Sequence, residues 1–424
     1  LTMARKMKDS GIEWIGEIPE EWSKNKVIRL FDIIGSGTTP KNITSDFPVV
    51  NWIQSGDITG SFMPTCKNVI SANLLSQYSA LKVYPAPFII IAMYGASVGN
   101  ASISLIDGCV NQACCVLSSP SCNLHYAFYV IKSAQSYLVR KAVGGGQPNI
   151  SQETIKQLWL PLPPLSTQDI IVRNLDATCS KIDDLLSSVH ASIEEYKKLK
   201  QAVITLAVTK GVRGEREMKD SGVEWIGKVP SKWNCIKIKY LFEIRKRIAG
   251  KEGYTVLSIT QTGIKPKNIS SNEGQLADSY SNYQLLHFGE FAMNHMDLLT
   301  GWVDISNYNG VTSPDYRVFS LKDTITNHPR YFLYLMQMCY FNRIFYSMAQ
   351  GVSSLGRWRL QSDKFLNCIF PVPSIEEQKE ISAYLDTTCS EIDKLIAKKE
   401  QLVKELESYK KSLIYEVVTG KREV

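Results

Sequence analysis

The sequence predicts an α+β protein with pseudo-two-fold organisation: two mixed α/β domains separated by two long helices that pair as an antiparallel coiled coil. Three observations predict it. First, residues 160–209 return without a gap as residues 370–419, sharing Pro161/Pro371, Pro163/Pro373, Gln168/Gln378, Leu175/Leu385, Asp176/Asp386, Thr178/Thr388, Cys179/Cys389, Ser180/Ser390, Ile182/Ile392 and Asp183/Asp393. Second, both copies carry apolar residues at seven-residue spacing, the mark of a helix that packs along another. Third, residues 7–22 (MKDSGIEWIGEIPEEW) return as residues 218–233 (MKDSGVEWIGKVPSKW), while the long stretches after them share no sustained identity. A frame was duplicated and its contents diverged. The boundaries that follow are a first domain at 1–159, a first helix and linker at 160–217, a second domain at 218–369 and a second helix at 370–424.

In chain order, the opening motif of each copy sets two Trp around Gly and Pro, which predicts a packed turn structure. The first domain then offers strands at 48–53, 87–94 and 109–117 and a helix at 126–142; the second offers strands at 254–259, 287–293 and 316–320 and a helix at 329–348. Proline steps at 161–164 and 371–373 introduce the long helices. Residues 374–377 (SIEE) fit a capping box, which in the first copy must slide to 166–169 because Pro164 holds the cap position. About 40 helical residues make a rod of roughly 60 Å. Its seam is expected at Leu175, Ile182, Val189, Tyr196 and Val203 with Leu185, Leu199 and Leu206, and in the second copy at Leu385, Ile392, Lys399, Leu406 and Leu413 with Leu395, Leu402 and Tyr409. Lys399 interrupts the apolar row, and a polar seam residue commonly fixes register or partner. Residues 210–217 (KGVRGERE) read as a hinge or short linker.

The bulk numbers are those of a soluble globular chain: 424 residues, 44% hydrophobic and 21% charged, enough for two or three domains. The longest apolar run, residues 87–93, is far too short to span a membrane, and residues 1–8 are too polar for a signal peptide, so a cytoplasmic protein without membrane contact is expected. Ten scattered cysteines without a CxxC pair suggest reduced, buried thiols and no metal. The net charge of +7 divides as +3 for 1–159, 0 for 160–217, +6 for 218–369 and −2 for 370–424. The basic excess therefore lies in the two divergent domains, where a polyanion partner fits.

Two similar but non-identical basic heads on paired rods suit a duplex polymer read at two places; half-sites about one helical turn, roughly 34 Å, apart present the same face of DNA. Catalysis is not indicated. The chain has no NPPY-type tetrad, no phosphate-binding GxxxxGK[ST] loop and no metal-binding histidine pair, and His125, His190, His287, His295 and His328 stand alone. Candidate DNA contacts are Ser36, Thr38, Thr39 and Lys41 in a glycine turn (GSGTTPK), which reads equally as a plain structural turn. Gln147 and Asn149 in GGGQPN have the groups to read adenine, although a hinge is the simpler reading; residues 350–355 match that position in the second copy. Arg245, Lys246 and Arg247, and Arg357, Trp358 and Arg359, are the densest basic clusters, suited to guanine or phosphate or else to a solvated surface.

The organisation resembles the specificity subunit of type I restriction-modification enzymes, over essentially the whole chain. The first head carries residues 35–40 (GSGTTP), 52–57 (WIQSGD), 94–99 (YGASVG) and 110–113 (VNQA), similar to that family's G-x-T-P, W-hydrophobic…G-D, G-hydrophobic-G and N-Q-A stretches. Residues 163–168 (PPLSTQ) and 372–378 (VPSIEEQ) are similar to its P-P-L-x-E-Q spacer start. The second head lacks the G-x-T-P loop and instead has residues 310–316 (GVTSPDY), which resemble the G-x-x-S-P-x-Y stretch of another subclass. The resemblance implies two target-recognition domains that each bind one half of an asymmetric double-stranded DNA target, Tyr94 among the contact positions of the first. It implies a chain that is not itself a catalyst and holds no cofactor, bound to two modification subunits that use S-adenosylmethionine to methylate adenine, and optionally to two restriction subunits that use ATP and Mg2+. The spacer helices would dock the modification subunits and set the gap. The competing readings are a protein-binding coiled-coil scaffold without nucleic acid and a single-chain methyltransferase or nuclease.

Overall fold

The computed structural model describes residues 5–41, 43, 45–144, 146–269, 277–349 and 358–424. It divides into two compact units, residues 1–189 with 401–424 and residues 190–400. Each is a mixed head packed on two antiparallel helix segments. The segments come from two continuous helices, Leu165–Lys210 and Ile375–Val418. No helix among the described residues is long and apolar enough to cross a membrane.

In the first unit the opening motif is a hairpin of Met7–Ile12 and Gly16–Pro19. The apolar run of the sequence becomes Phe88–Ala92, an inner strand of a five-stranded sheet ordered Ile33–Gly35, Cys114–Ser118, Phe88–Ala92, Ala101–Ser104, Phe62–Met63. It is apolar at every position because both faces are covered. Ile89 and Ile91 face the core that includes the helix Leu124–Ser133. Phe88, Ile90 and Ala92 pack with Ile53, Tyr84 and Val110 on the other side. The second unit has a four-stranded sheet ordered Phe242–Arg245, Arg317–Leu321, Phe291–Met293, Val303–Ile305. Phe242 lies edge-on to Phe291 and Phe319 of the sheet and to Phe332 of the helix Pro329–Phe341.

Three expected elements are broken in two. The strand expected at 109–117 is Cys109–Val110 and Cys114–Ser118, parted at residues 111–113, where Asn111 Oδ1 accepts the Ala113 N–H at 3.1 Å. The helix expected at 126–142 is Leu124–Ser133 and Gln135–Lys141, parted at Ala134, whose N–H is shared between the carbonyls of Val130 and Ile131. The helix expected at 329–348 stops at Phe341 and resumes at Ile344, because Arg343 takes the left-handed conformation at φ 57°.

The two heads dock by the same bonds. In the first unit Tyr126 Oη lies 3.0 Å from the carbonyl of Pro161 and 3.2 Å from that of Val418, and Tyr129 Oη donates to Asp176 at 2.6 Å. In the second, Tyr331 Oη lies 2.8 Å from the Pro371 carbonyl and 3.1 Å from that of Val208, and Tyr334 Oη donates to Asp386 at 2.6 Å. Gln168 and Gln378 brace the two helix starts by donating to the carbonyls of Pro163 and Pro373.

The helix seam corrects the expected one in its second row. Leu185, Leu199, Leu206, Leu395, Leu402 and Tyr409 are all exposed. The buried or half-buried positions are Leu175, Cys179, Ile182, Leu186, Val189, Ile193, Tyr196, Lys200, Val203 and Ala207, then Leu385, Cys389, Ile392, Ile396, Lys399, Val403, Leu406, Lys410, Leu413 and Val417. The second row thus lies one residue later than the leucines. A three-residue step lands about 60° to one side of the first row and a four-residue step about 40° to the other. The chain buries the side with Cys, Ala and lysine stems. At those lysines the seam is pinned by matching ion pairs, Lys410 with Asp183 in the first unit and Lys200 with Asp393 in the second. Lys399 sits in the seam with its ammonium 5.6 Å from the centre of the Tyr196 ring.

Two local expectations also change. No capping box slides to 166–169, since the first helix already runs from Leu165 and the Pro164 carbonyl accepts from Thr167 and Gln168. In the second, Ser374 Oγ accepts the Glu377 N–H at 3.4 Å, but the Glu377 carboxylate turns to Arg216 and Trp233 instead of closing the box. Those contacts, with Arg213–Glu380, tie residues 210–217 down, so this stretch is a fastened connection in the second unit and not a loose hinge.

Candidate nucleic-acid interface

In the first head the separate sequence candidates meet along one edge. The turn at residues 35–41 needs its glycine, because a Cβ on Gly37 would lie 1.7 Å from the Val110 carbonyl oxygen. Ser36 Oγ donates to the Cys114 carbonyl at 2.7 Å, which makes that hydroxyl part of the scaffold, and Tyr84 Oη donates to the Ser36 carbonyl at 2.9 Å. Thr38 is half-buried; Thr39 and Lys41 are exposed. Thr39 Oγ1 donates to the side chain of exposed Gln112 at 2.6 Å, joining the turn to residues 111–113. From there Met93 N–H donates to the Ala113 carbonyl, and Tyr94 pairs through its backbone with Asn149, with Gly95 N–H on the Pro148 carbonyl. Tyr94 is 47% exposed, Gln147 is exposed and Asn149 half-buried. The rim therefore presents Thr39, Lys41, Gln112, Tyr94, Gln147 and Asn149. Gln112 belongs to this set although it stood in the sequence only as part of an NQA motif. Its signal was that motif's place between two apolar stretches, which form Cys109–Val110 and Cys114–Ser118 in two different sheets.

In the second head the basic clusters separate into engaged and free groups. Arg245 pairs with Glu243 at 3.1 Å and donates from Nε to Ser320, and Arg247 pairs with Glu290. Both guanidiniums are thus partly neutralised within the fold, and Lys246 is the exposed member. Trp358 packs against Tyr346 with ring centres 4.8 Å apart and the planes tilted by 45°, and Arg359 is exposed beside it. Arg357 and residues 350–355 lie outside the described residues. Sequence reading missed Arg317, which directly follows the GVTSPDY stretch. It is 4% exposed, lies over the Phe365 ring at 4.6 Å and donates to the Leu360 carbonyl at 2.9 Å, so it anchors the segment that leads from Arg359. Burial pulls its guanidinium down to about 10. Beside it, burial and the charges of Arg317 and Arg359 pull the His295 imidazole down to about 3, leaving it neutral. The GVTSPDY turn is held from below by buried Gln284, which donates to the carbonyls of Ser313 and Tyr316 at 2.7 and 2.6 Å.

A recess of about 1130 Å3 in the second unit is lined by Trp302, Arg330, Tyr334 and Asp386 among others. The Tyr334 hydroxyl and Arg330 guanidinium both bond to Asp386, so these groups hold the head on its helix. Among the described residues no group of three His, Cys, Asp or Glu could hold a metal. The chemistry this surface offers is recognition, through hydroxyls, amides, an exposed tyrosine and free cations on fixed rims.

The family model for the type I restriction modification DNA specificity domain matches residues 19–195 and again residues 230–405. The chain is 25% identical over 310 residues to the type I restriction enzyme MjaVIII specificity subunit of Methanocaldococcus jannaschii, covering 70% of this chain and 69% of that one. It is 21% identical over 399 residues to the EcoBI specificity subunit of Escherichia coli, covering 86% and 82%. A solved chain from work on complex assembly and conformational transition of the type I R-M system superposes with a TM-score of 0.69 at 14% identity, over 95% of this chain and 98% of that one, a likeness of fold.

Proposed function

The chain belongs to the type I restriction modification DNA specificity family, carrying its domain twice, and from that premise we propose that it reads a bipartite, asymmetric double-stranded DNA target, one half-site per recognition domain. It is the recognition component of a restriction-modification system and not its catalyst. The observation that carries the two-word target is the equivalent docking of unlike heads: Tyr126 with Tyr129 and Tyr331 with Tyr334 make the same bonds to duplicated helices, while the sheets above them differ. Equal mounts with different faces suit two different words.

The recognition domains are assigned to 1–159 and 218–369, and the spacers to 160–217 and 370–424. In the first domain the contacts fall on Thr39, Lys41, Tyr94, Gln112, Gln147 and Asn149, and in the second on Lys246, Trp358 and Arg359. Two adenine modification subunits dock on the exposed row of Leu185, Leu199, Leu206, Leu395, Leu402 and Tyr409, which the chain leaves uncovered. S-adenosylmethionine belongs to those subunits, and ATP with Mg2+ to restriction subunits where they join. The assembly works on DNA in the cytoplasm. The test is binding of the reconstituted complex to a random duplex library. A gapped, two-part consensus and a steep fall of affinity with salt are expected. Absence of selection for any duplex would favour the protein-only scaffold.

A further inference from the structure

The duplication lets one unit serve as the template for the other. In the second unit Glu377, 5% exposed, accepts from Arg216 Nη1 at 2.5 Å and from the indole Nε1 of Trp233 at 3.0 Å. Arg216 also lies over the Trp233 ring, 5.4 Å from its centre. In the first unit Arg5 and Trp22 hold the same positions 211 residues earlier, with Arg5 5.3 Å from the centre of the Trp22 ring. Position 167, which matches 377, is threonine. Trp22 is 1% exposed, and its Nε1 has no acceptor among the described residues. A buried N–H of this kind is rare in folded proteins because it has given up its water for nothing. Arg5 turns Nε and Nη2 toward Glu21, where the second unit has Lys232, and so keeps Nη1 available. Where the Glu377 side chain would sit there is instead a recess of about 300 Å3, lined by Arg5, Trp22, Thr167, Ile171 and Arg422.

We propose that this recess is a carboxylate-binding site that takes the side chain of an acidic residue on a partner polypeptide. The twin unit supplies the ligand chemistry, since the same arginine and indole pair there closes on a carboxylate. The first turn of the helix at Thr167 and the guanidiniums of Arg5 and Arg422 add positive potential. The volume exceeds what a lone carboxylate group fills, and leaves room for the side chain that presents it. Glu423 and Val424 also line the recess, but among the described residues neither bonds to Trp22 Nε1 or to Arg5.

The experiment follows the indole N–H resonances of the intact chain labelled with 15N-tryptophan, the eight signals assigned by substitution. Sodium acetate and a capped Gly-Glu-Gly peptide are titrated at constant ionic strength against sodium chloride. The Trp22 signal is expected to shift saturably toward that of Trp233, at lower concentration with the peptide than with acetate, while Trp233 stays put. The variant Thr167→Glu, which copies the second unit, is expected to show the shifted Trp22 signal from the start and no response. Glu423→Gln is expected to leave the response intact. A Trp22 signal that follows chloride as well as carboxylate, or inorganic phosphate as strongly as the peptide, overturns the site. Tighter binding of acetate than of peptide overturns the polypeptide source, and a Trp22 signal moved by Glu423→Gln alone shows that Glu423 is the occupant.

Discussion

Tyr126 and Tyr331, 1% and 0% exposed, each place a hydroxyl between two main-chain carbonyls at the base of a head. Tyr331→Phe keeps the ring and leaves those acceptors without their donor, so about 1–2 kcal/mol of stability should be lost in urea unfolding of the intact chain; Tyr126→Phe should cost the same within error. His295 gives a pH signature. Its imidazole titrates at about 6.5 in an unfolded chain and is pulled down to about 3 in the fold, so between those values only the unfolded chain binds the proton. Its contribution is whole above pH 6.5 and declines as pH falls toward 3, by about 1.4 kcal/mol per pH unit. Urea midpoints at pH 7.5, 6 and 5 should fall accordingly, and His295→Gln should flatten that slope. Residue by residue, the sequence was a partial guide to the interface. Arg245 and Arg247 stand out in a basic run, yet Glu243 and the distant Glu290 neutralise them, and no local pattern shows a carboxylate 43 residues away. Tyr94 and Asn149 were singled out separately; only the fold makes them neighbours.

The long helices show how a pattern can be legible while its phase is not. The heptad is plain in both copies, but leucine draws the eye to 185, 199 and 206, whereas the buried row runs through Cys179, Leu186, Ile193, Lys200 and Ala207. Ile193→Ala should therefore cost about 2–4 kcal/mol, and Leu199→Ala under about 0.5 kcal/mol, in thermal or urea unfolding. The reverse order would restore the leucine seam. Lys399→Leu exchanges a cation-π contact of about 0.5–1 kcal/mol for burial of a leucine side chain at about 1.5–3 kcal/mol, so a more stable chain with a higher melting temperature is expected. The docking tyrosines were also within reach of sequence reading. Tyr126–Tyr129 (YAFY) and Tyr331–Tyr334 (YFLY) repeat at an offset of 205 residues, not the 210 of the helices, and a gapless comparison passes over them.

At the scale of the whole molecule, the duplicated frame and the α+β class were readable because they depend on repetition and periodicity, which survive divergence. The interiors of the heads were not, because their elements are short and interrupted: a strand is parted at residues 111–113 and a helix at Arg343. If the exposed leucine row holds the modification subunits, the double variant Leu185→Glu/Leu199→Glu should abolish their co-purification while the chain keeps its own melting temperature. Whether each head reads its own word is decided by replacing residues 24–159 with the first recognition domain of another family member and mapping methylated adenines made by the reconstituted complex. The first half-site should change, while the second half-site and the gap stay as before. A target changed in both halves, or one uninterrupted word from the parent complex, would contradict separate reading by the two heads.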